Sequence, residues 1–361
     1  MLNNVVPSGD VISAIARDIR IDKNMGIQHP LYHFTITAEA VHRFTENPGE
    51  LQRKYLNVIL RNFIYGTYYS AALVEIIKNT HNLDSQYQGY LLHHNLENDS
   101  PWGVEIDFYK KLHSHNHGSG YLEPDWEVLR REPDGSLAVT KAGLTMYATR
   151  GVHWDSPRTP RPGDYIAIKM PKNRLHNGYY IAISNIGKIE PSDRNHPQLG
   201  RIYLNCSATG GVVLIDALTH KLNHAEIYFT LQMLCHSQAF TRYDAGILIF
   251  NLKDYGKIHQ ILSQIYSQDY FHPEIPILTK YLAPGIGFAE EPQQKFYPQE
   301  GYGSNRCQII TNALIETWEN GQDSELERIE CINKHFAQQQ IDLQKPYLNP
   351  GSEDIYPTLT N

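Results

Sequence analysis

Long apolar runs are missing from this chain of 361 residues, and no stretch approaches the ~18–20 consecutive apolar residues that a membrane-spanning helix requires. The opening Met-Leu-Asn-Asn-Val-Val-Pro-Ser-Gly-Asp has neither the basic start nor the apolar stretch of a secretory signal. Cysteine is scarce. Cys206, Cys235, Cys307 and Cys331 lie far apart with no Cys-x-x-Cys pair, which fits reduced, buried thiols in a cytoplasmic protein better than two disulfides. Basic residues are in the minority, 32 against 39 acidic ones, and the formal charge of −7 speaks against a nucleic-acid partner. Phenylalanine is outnumbered by tyrosine, 11 to 24, so many aromatic surfaces carry a hydroxyl at the edge.

What positive charge there is has been gathered. Lys141, Arg150, Arg158, Arg161, Lys169, Lys172 and Arg174 face only Asp155 and Asp164 in the same segment, a local +5 within a negative chain. Such a segment attracts a small anion or an acidic peptide while the remainder repels bulk polyanions. Arg201, Arg242 and Arg306 come later, beside strand-like or helix-starting runs, the pattern expected of a phosphate pocket.

The periodicity predicts a short helix over 11–19 and a long one over 51–69, continuing through 70–78, with Asn47-Pro48-Gly49-Glu50 as its start. Another helix is expected over 102–112, stopped by the glycines of His117-Gly118-Ser119-Gly120. Beyond the turn signal Glu132-Pro133-Asp134-Gly135 the texture changes to strand-like runs over 137–140, 165–170, 179–184, 201–205, 227–234 and 245–250. Helices are expected over 212–223, 254–268, 306–320 and 324–338. The turns Pro162-Gly163-Asp164 and Asn177-Gly178 suggest a hairpin joining 165–170 to 179–184. The expected fold is therefore α+β: a mainly helical region over 1–135, then an antiparallel sheet with packed helices over 136–361, together one integrated unit.

Several segments in order carry a resemblance. They are Asn116-x-Gly-x-Gly-Tyr-x-x-Pro-x-Trp126, Lys141-Ala-Gly-Leu-Thr145, Gly163-Asp-Tyr-Ile-Ala-Ile-Lys-Met-Pro-Lys-Asn173, Arg201-Ile-Tyr-Leu-Asn205, Arg242-Tyr-Asp244, the 278–292 run around Gly285 and Gly287, and Tyr302-Gly-Ser-Asn-Arg-Cys-Gln-Ile-Ile310. From about residue 50 onward the chain resembles the HopA effector family, a domain shared by a type III secretion effector of plant pathogens and free-standing bacterial proteins. The free-standing members stand beside kinase-like partners in pathways to ribosomally made peptides, where the family supplies the lyase half of a split dehydratase, as in class V lanthipeptide synthesis. The resemblance implies a fold like that of phosphothreonine lyases and elimination of phosphate from phosphoserine or phosphothreonine, leaving dehydroalanine or dehydrobutyrine. The partners it implies are a precursor peptide with its leader and a kinase-like protein, with no metal, cofactor or membrane required. A non-catalytic module that binds phosphopeptide, leader or kinase partner is the alternative, and an effector-like protein acting on a host is another.

Elimination needs a base for a carbon-bound proton, an acid for the departing phosphate and cations to hold the dianion. The related phosphothreonine lyases share no short catalytic motif with this chain, so the roles are assigned by chemistry. Lys141 and Lys169 are the rival bases, and each is otherwise a surface lysine; Lys172 reads as solvated. His153 is the expected acid, with His236 a weaker substitute, and Arg150 lies three residues away around a glycine. Arg150, Arg201, Arg242 and Arg306 are the expected phosphate ligands. Arg306 has the best local setting, because Gly-Tyr-Gly-Ser-Asn before an apolar helix offers free N–H groups to an anion, although capping alone explains Ser304 and Asn305. Arg242 pairs equally well with Asp244, and Arg201 with some carboxylate. Glu290 and Glu291 read as hydrogen-bonding groups, and His113-x-His115-x-His117 lacks a fourth ligand for zinc or nickel. Cys307, beside Arg306, is a minor candidate nucleophile against its ordinary role as a small buried hydrophobe.

Overall fold

The computed structural model describes residues 8–30, 32–35, 49–74, 92–187 and 198–359. Helix α1 (Ser8–Asp18) buries Val11, Ile12 and Ile15 along one stripe. It leads into a small antiparallel sheet of β1 (Arg20–Ile21), β2 (Ile27–His29) and β3 (Tyr32–Phe34). Helix α2 (Glu50–Ile64) turns Leu56, Ile59, Leu60 and Phe63 inward at the expected spacing. It widens into a π-turn, Tyr65–Tyr69, in which Tyr65 and Tyr69 stack with ring centres 5.0 Å apart. Asn47, Pro48 and residues 75–78 of the expected extension lie outside the described residues. Helix α3 (Ile106–His115) starts four residues later than the spacing predicts.

Three strands escaped the reading of the middle region. β4 (Tyr121–Arg131) is the longest strand described; it pairs with β5 (Leu137–Lys141) on one side and β7 (Tyr165–Met170) on the other, and β6 (Leu144–Ala148) completes a four-stranded sheet ordered β6-β5-β4-β7. Pro124 and two register irregularities interrupt the alternation of β4, which is why it does not read as a strand. The turn over 132–136 therefore joins paired strands, and β4, within 1–135, shares its sheet with β5, β6 and β7 from 136–361.

The expected hairpin between 165–170 and 179–184 does not form. Asn177 and Gly178, both at positive φ, connect β8 (Asn173–His176) to β9 (Tyr179–Ile183), the turn chemistry a tight hairpin requires. β8 and β9 edge a second sheet with β10 (Leu199–Leu204), β11 (Phe229–Leu234), β12 (Gly246–Asn251), β13 (Lys280–Ala283) and β14 (Ile286–Glu290). This seven-stranded antiparallel sheet is ordered β13-β14-β10-β12-β11-β9-β8. Its two faces are both apolar, as alternation along β10 shows: Ile202 and Leu204 turn to one side, Tyr203 to the other. Helices α4 (Ala208–His224) and α5 (Tyr255–Ile265) cover the first face. Helix α6 (Tyr302–Glu319), with α2 and then α7 (Glu325–Gln338), covers the second. A capping box at Ser324 and Glu327 starts α7. Gly303 lets α6 approach the π-turn, because a Cβ there would stand 2.5 Å from the Tyr69 ring. No helix among the described residues is long and apolar enough to cross a membrane.

Candidate functional site

The basic segment places three of its expected site residues around one cleft, along the outer edge of β7. The backbone N–H of Lys169 donates to the carbonyl of His153 at 2.6 Å, tying the 149–156 loop to that edge. The loop holds itself in shape. Trp154 donates from its indole to the Ala148 carbonyl at 3.1 Å, the Arg150 guanidinium lies 5.5 Å from the Trp154 ring centre, and the Thr149 N–H donates to His153 Nδ1 at 3.0 Å. The resulting depression of about 520 Å³ is lined by Leu122, Val152, His153, Trp154, Pro160 and Lys169 among others. Arg150 stands beside it, donating to the Ser156 carbonyl at 2.9 Å with Asp155 at 3.9 Å.

Lys141 is not part of this cleft. Lys169 stands opposite Leu122 and Ile168 opposite Glu123, so alternation sends Lys169 and Glu123 to different faces of the sheet. Lys141 lies with Glu123, 3.6 Å from its carboxylate, and donates to the Pro124 carbonyl at 2.8 Å.

The three later arginines are interior groups with their own partners. Arg242 is buried and donates twice to Asp244, both at 2.8 Å, and to the Leu96 carbonyl at 2.6 Å. Its remaining Nη1 has no hydrogen-bond partner among the described residues, but the guanidinium lies 5.9 Å from the Tyr179 ring centre. Arg201 pairs with Glu291, which Lys295 also holds. Burial pushes the Glu291 carboxyl up, yet Arg201 and Lys295 outweigh it and leave the group below the ordinary carboxylate value. Arg306 donates to the Pro346 and Leu348 carbonyls, at 2.8 and 3.2 Å, and to Asn305 Oδ1, so it fastens the C-terminal tail. The anion expected at the start of α6 is the chain's own: Glu97 accepts the N–H groups of Gly301 and Gly303, each at 3.1 Å. Glu290 likewise holds the tail, accepting from Asn349, Ser352 and Tyr356. Cys307 is fully buried, and burial holds its thiol well above the ordinary value, which removes it as a nucleophile. His236 caps a short turn by accepting from the Gln238 N–H, away from the cleft residues.

One cluster went unread. Lys172, expected in solvent, is half-buried and donates to the carbonyls of His113 at 3.1 Å and Asn116 at 2.8 Å, at the end of α3. No carboxylate pairs with it among the described residues, and burial lowers its pKa. Burial, then the nearby Lys172 charge, lowers that of His113 as well. The His113 ring stacks on Tyr109, and its Nδ1 lies 3.3 Å from the Tyr180 hydroxyl, which accepts from Asn116 Nδ2 at 2.9 Å. Gly118 and Gly120 are required here. A Cβ on the first would stand 3.0 Å from Lys172 Cβ, and one on the second 2.2 Å from the Met170 carbonyl oxygen. The Asn116-x-Gly-x-Gly120 loop thus packs against Met170-Pro-Lys-Asn173. Two of the segments that carried the resemblance meet in space, and that adjacency was the available signal. The remaining members of the histidine triplet diverge, His115 toward the Lys111 carbonyl and His117 toward Asp216.

Residues 170–348 match the model of the HopA1 effector protein family. This segment belongs to that family. It begins at Met170, so the HopA1 segment holds Lys172, Arg201, Arg242 and Arg306, whereas Lys141, Arg150, His153 and Lys169 precede it. No curated protein matches the chain. Two solved structures are similar to it. The effector protein from Pseudomonas syringae pv. tomato strain DC3000 has 14% identity and a TM-score of 0.39, covering 81% of this chain and 98% of that one. The effector protein from Pseudomonas syringae pv. syringae strain 61 has 15% identity and a TM-score of 0.39, covering 80% and 97%.

Proposed function

We propose that this HopA1-family protein eliminates phosphate from phosphoserine or phosphothreonine in a peptide, with the chemistry at His113 and Lys172. The observation that supports this reading is a half-buried lysine with no carboxylate partner among the described residues, close enough to a histidine for its charge to be felt there. Burial and the nearby Lys172 charge favour the neutral form of His113, the form able to accept the α-proton, and Lys172 is the proton donor in this reading. The Cα–H pair becomes the Cα=Cβ bond, the Cβ–O bond breaks toward phosphate, and Lys172 supplies a proton to the departing oxygen. The cleft lined by Lys169 and His153 is a separate surface for the peptide to engage, and a kinase-like protein supplies the phosphate ester. The test incubates a phosphorylated, leader-bearing peptide with the purified chain and follows loss of phosphoric acid by mass spectrometry. His113→Ala and Lys172→Met should each slow elimination, on the order of 10²–10⁴-fold for a lost acid or base.

A binding role without catalysis has one observation in its favour. The two carbonyls that Lys172 bonds lie at the C-terminal end of α3, where a lysine also stabilises a helix. Phosphopeptide that binds, and loses affinity with added salt, but keeps its phosphate would select that reading over elimination.

A further inference from the structure

Helices α6 and α7 carry a set of donors that the proposed chemistry does not use. Cys331 and His335 are four residues apart and share one face of α7, and Glu316 approaches from the last turns of α6. One ligand atom from each, thiol sulfur, imidazole nitrogen and carboxylate oxygen, lies within 4.8 Å of the other two. A depression of about 310 Å³ opens beside them, lined also by Glu327, Glu330 and Lys334. We propose that Glu316, Cys331 and His335 bind a zinc-class divalent ion, with water or a small ligand in the fourth position.

The donor chemistry selects the ion. Thiolate and imidazole favour zinc and its neighbours over magnesium or calcium, and three protein ligands with one open position is an established arrangement for zinc. A thiolate, a carboxylate and a neutral imidazole also balance a doubly charged ion. Two contacts stand where the ion would go: His335 Nε2 lies 2.8 Å from Glu316 Oε2, and Lys334 Nζ lies 2.5 Å from Glu316 Oε1. The ion replaces the proton between Glu316 and His335 and displaces the thiol proton of Cys331 to solvent. Lys334 is then the resident cation that competes with it.

The experiment titrates the full chain with cobalt(II), reading the near-ultraviolet thiolate charge-transfer band and the visible bands of a tetrahedral ion, and then displaces it with zinc. Expected are one equivalent bound, loss of the thiolate band in Cys331→Ser, and affinity weakened by at least about tenfold in His335→Ala and Glu316→Gln. Lys334→Met should bind more tightly, a gain that a misfolded variant cannot imitate. A wild-type chain without the thiolate band, a band that survives Cys331→Ser, or unchanged affinity in His335→Ala overturns the proposal. Circular dichroism of each variant checks that the helices persist.

Discussion

Replacing Arg242 by methionine separates a phosphate ligand from a structural ion pair. Methionine retains much of the length of the side chain but deletes the guanidinium. Asp244, fully buried, loses two charge-assisted hydrogen bonds and keeps the Tyr65 hydroxyl at 2.6 Å, while the Leu96 carbonyl loses this donor. A buried carboxylate stripped of its cation destabilises a fold by about 3–5 kcal/mol. At roughly 2 °C per kcal/mol for a chain of this size, the melting temperature should fall by about 6–10 °C. Asp244→Asn added to the same variant removes the uncompensated charge and should recover a substantial part of the loss, which is non-additive behaviour expected of contacting partners. Thermal and urea unfolding of wild type, both single variants and the double variant complete the cycle. If Arg242→Met melts like wild type and instead loses phosphopeptide affinity, Arg242 is a ligand and the internal assignment is wrong.

Elimination by His113 and Lys172 should give a bell-shaped kcat/KM profile. The rate rises as His113 loses its proton, below the ordinary imidazole value of 6.5, and falls as Lys172 loses its own, below the ordinary 10.5; an acidic limb that persists in His113→Ala refutes the role. Glu291 has its carboxyl held below the ordinary 4.5, so its contribution to stability is present above that value and is lost as pH falls through the lowered native one. Urea unfolding across that window should show a shallower acid dependence in Glu291→Gln, and an unchanged slope would remove the Arg201 pairing as its source. Gly303→Ala forces a methyl group against the Tyr69 and Tyr65 rings and should cost about 1–3 kcal/mol. Gly256→Ala in α5, with nothing within 4 Å of the new Cβ, should be neutral or stabilising by up to about 1 kcal/mol. Denaturant midpoints check both, and the reverse order would contradict the packing.

Most helices and four strands of the large sheet, β9 to β12, were legible because local periodicity reports burial, whereas β8, β13 and β14, short and set among Asn, Pro and Gly turns, were not. Ile59, Asn62 and Phe63 recur at helical spacing wherever they pack, and all three are buried in α2. β4 was not legible, since Pro124 and two irregularities in pairing disrupt its alternation. The hairpin error has the same root. Asn177-Gly178 correctly signalled a tight turn, but the partner strand was the short β8 beside it, and pairing is a property of two segments that neither encodes alone.

The candidate site divides in the same way. Residue types by themselves determined that cations are gathered in the middle of the chain, that Asp244 stands ready for Arg242, and that the loop before α6 seeks an anion. Only tertiary structure decided which anion arrives there, Glu97, and which lysine escapes a carboxylate, Lys172 rather than Lys141. The reason is desolvation: a charged side chain is an ordinary surface group until packing removes its water, and its neighbours in space then decide whether it is neutralised, locked in a pair or left able to react.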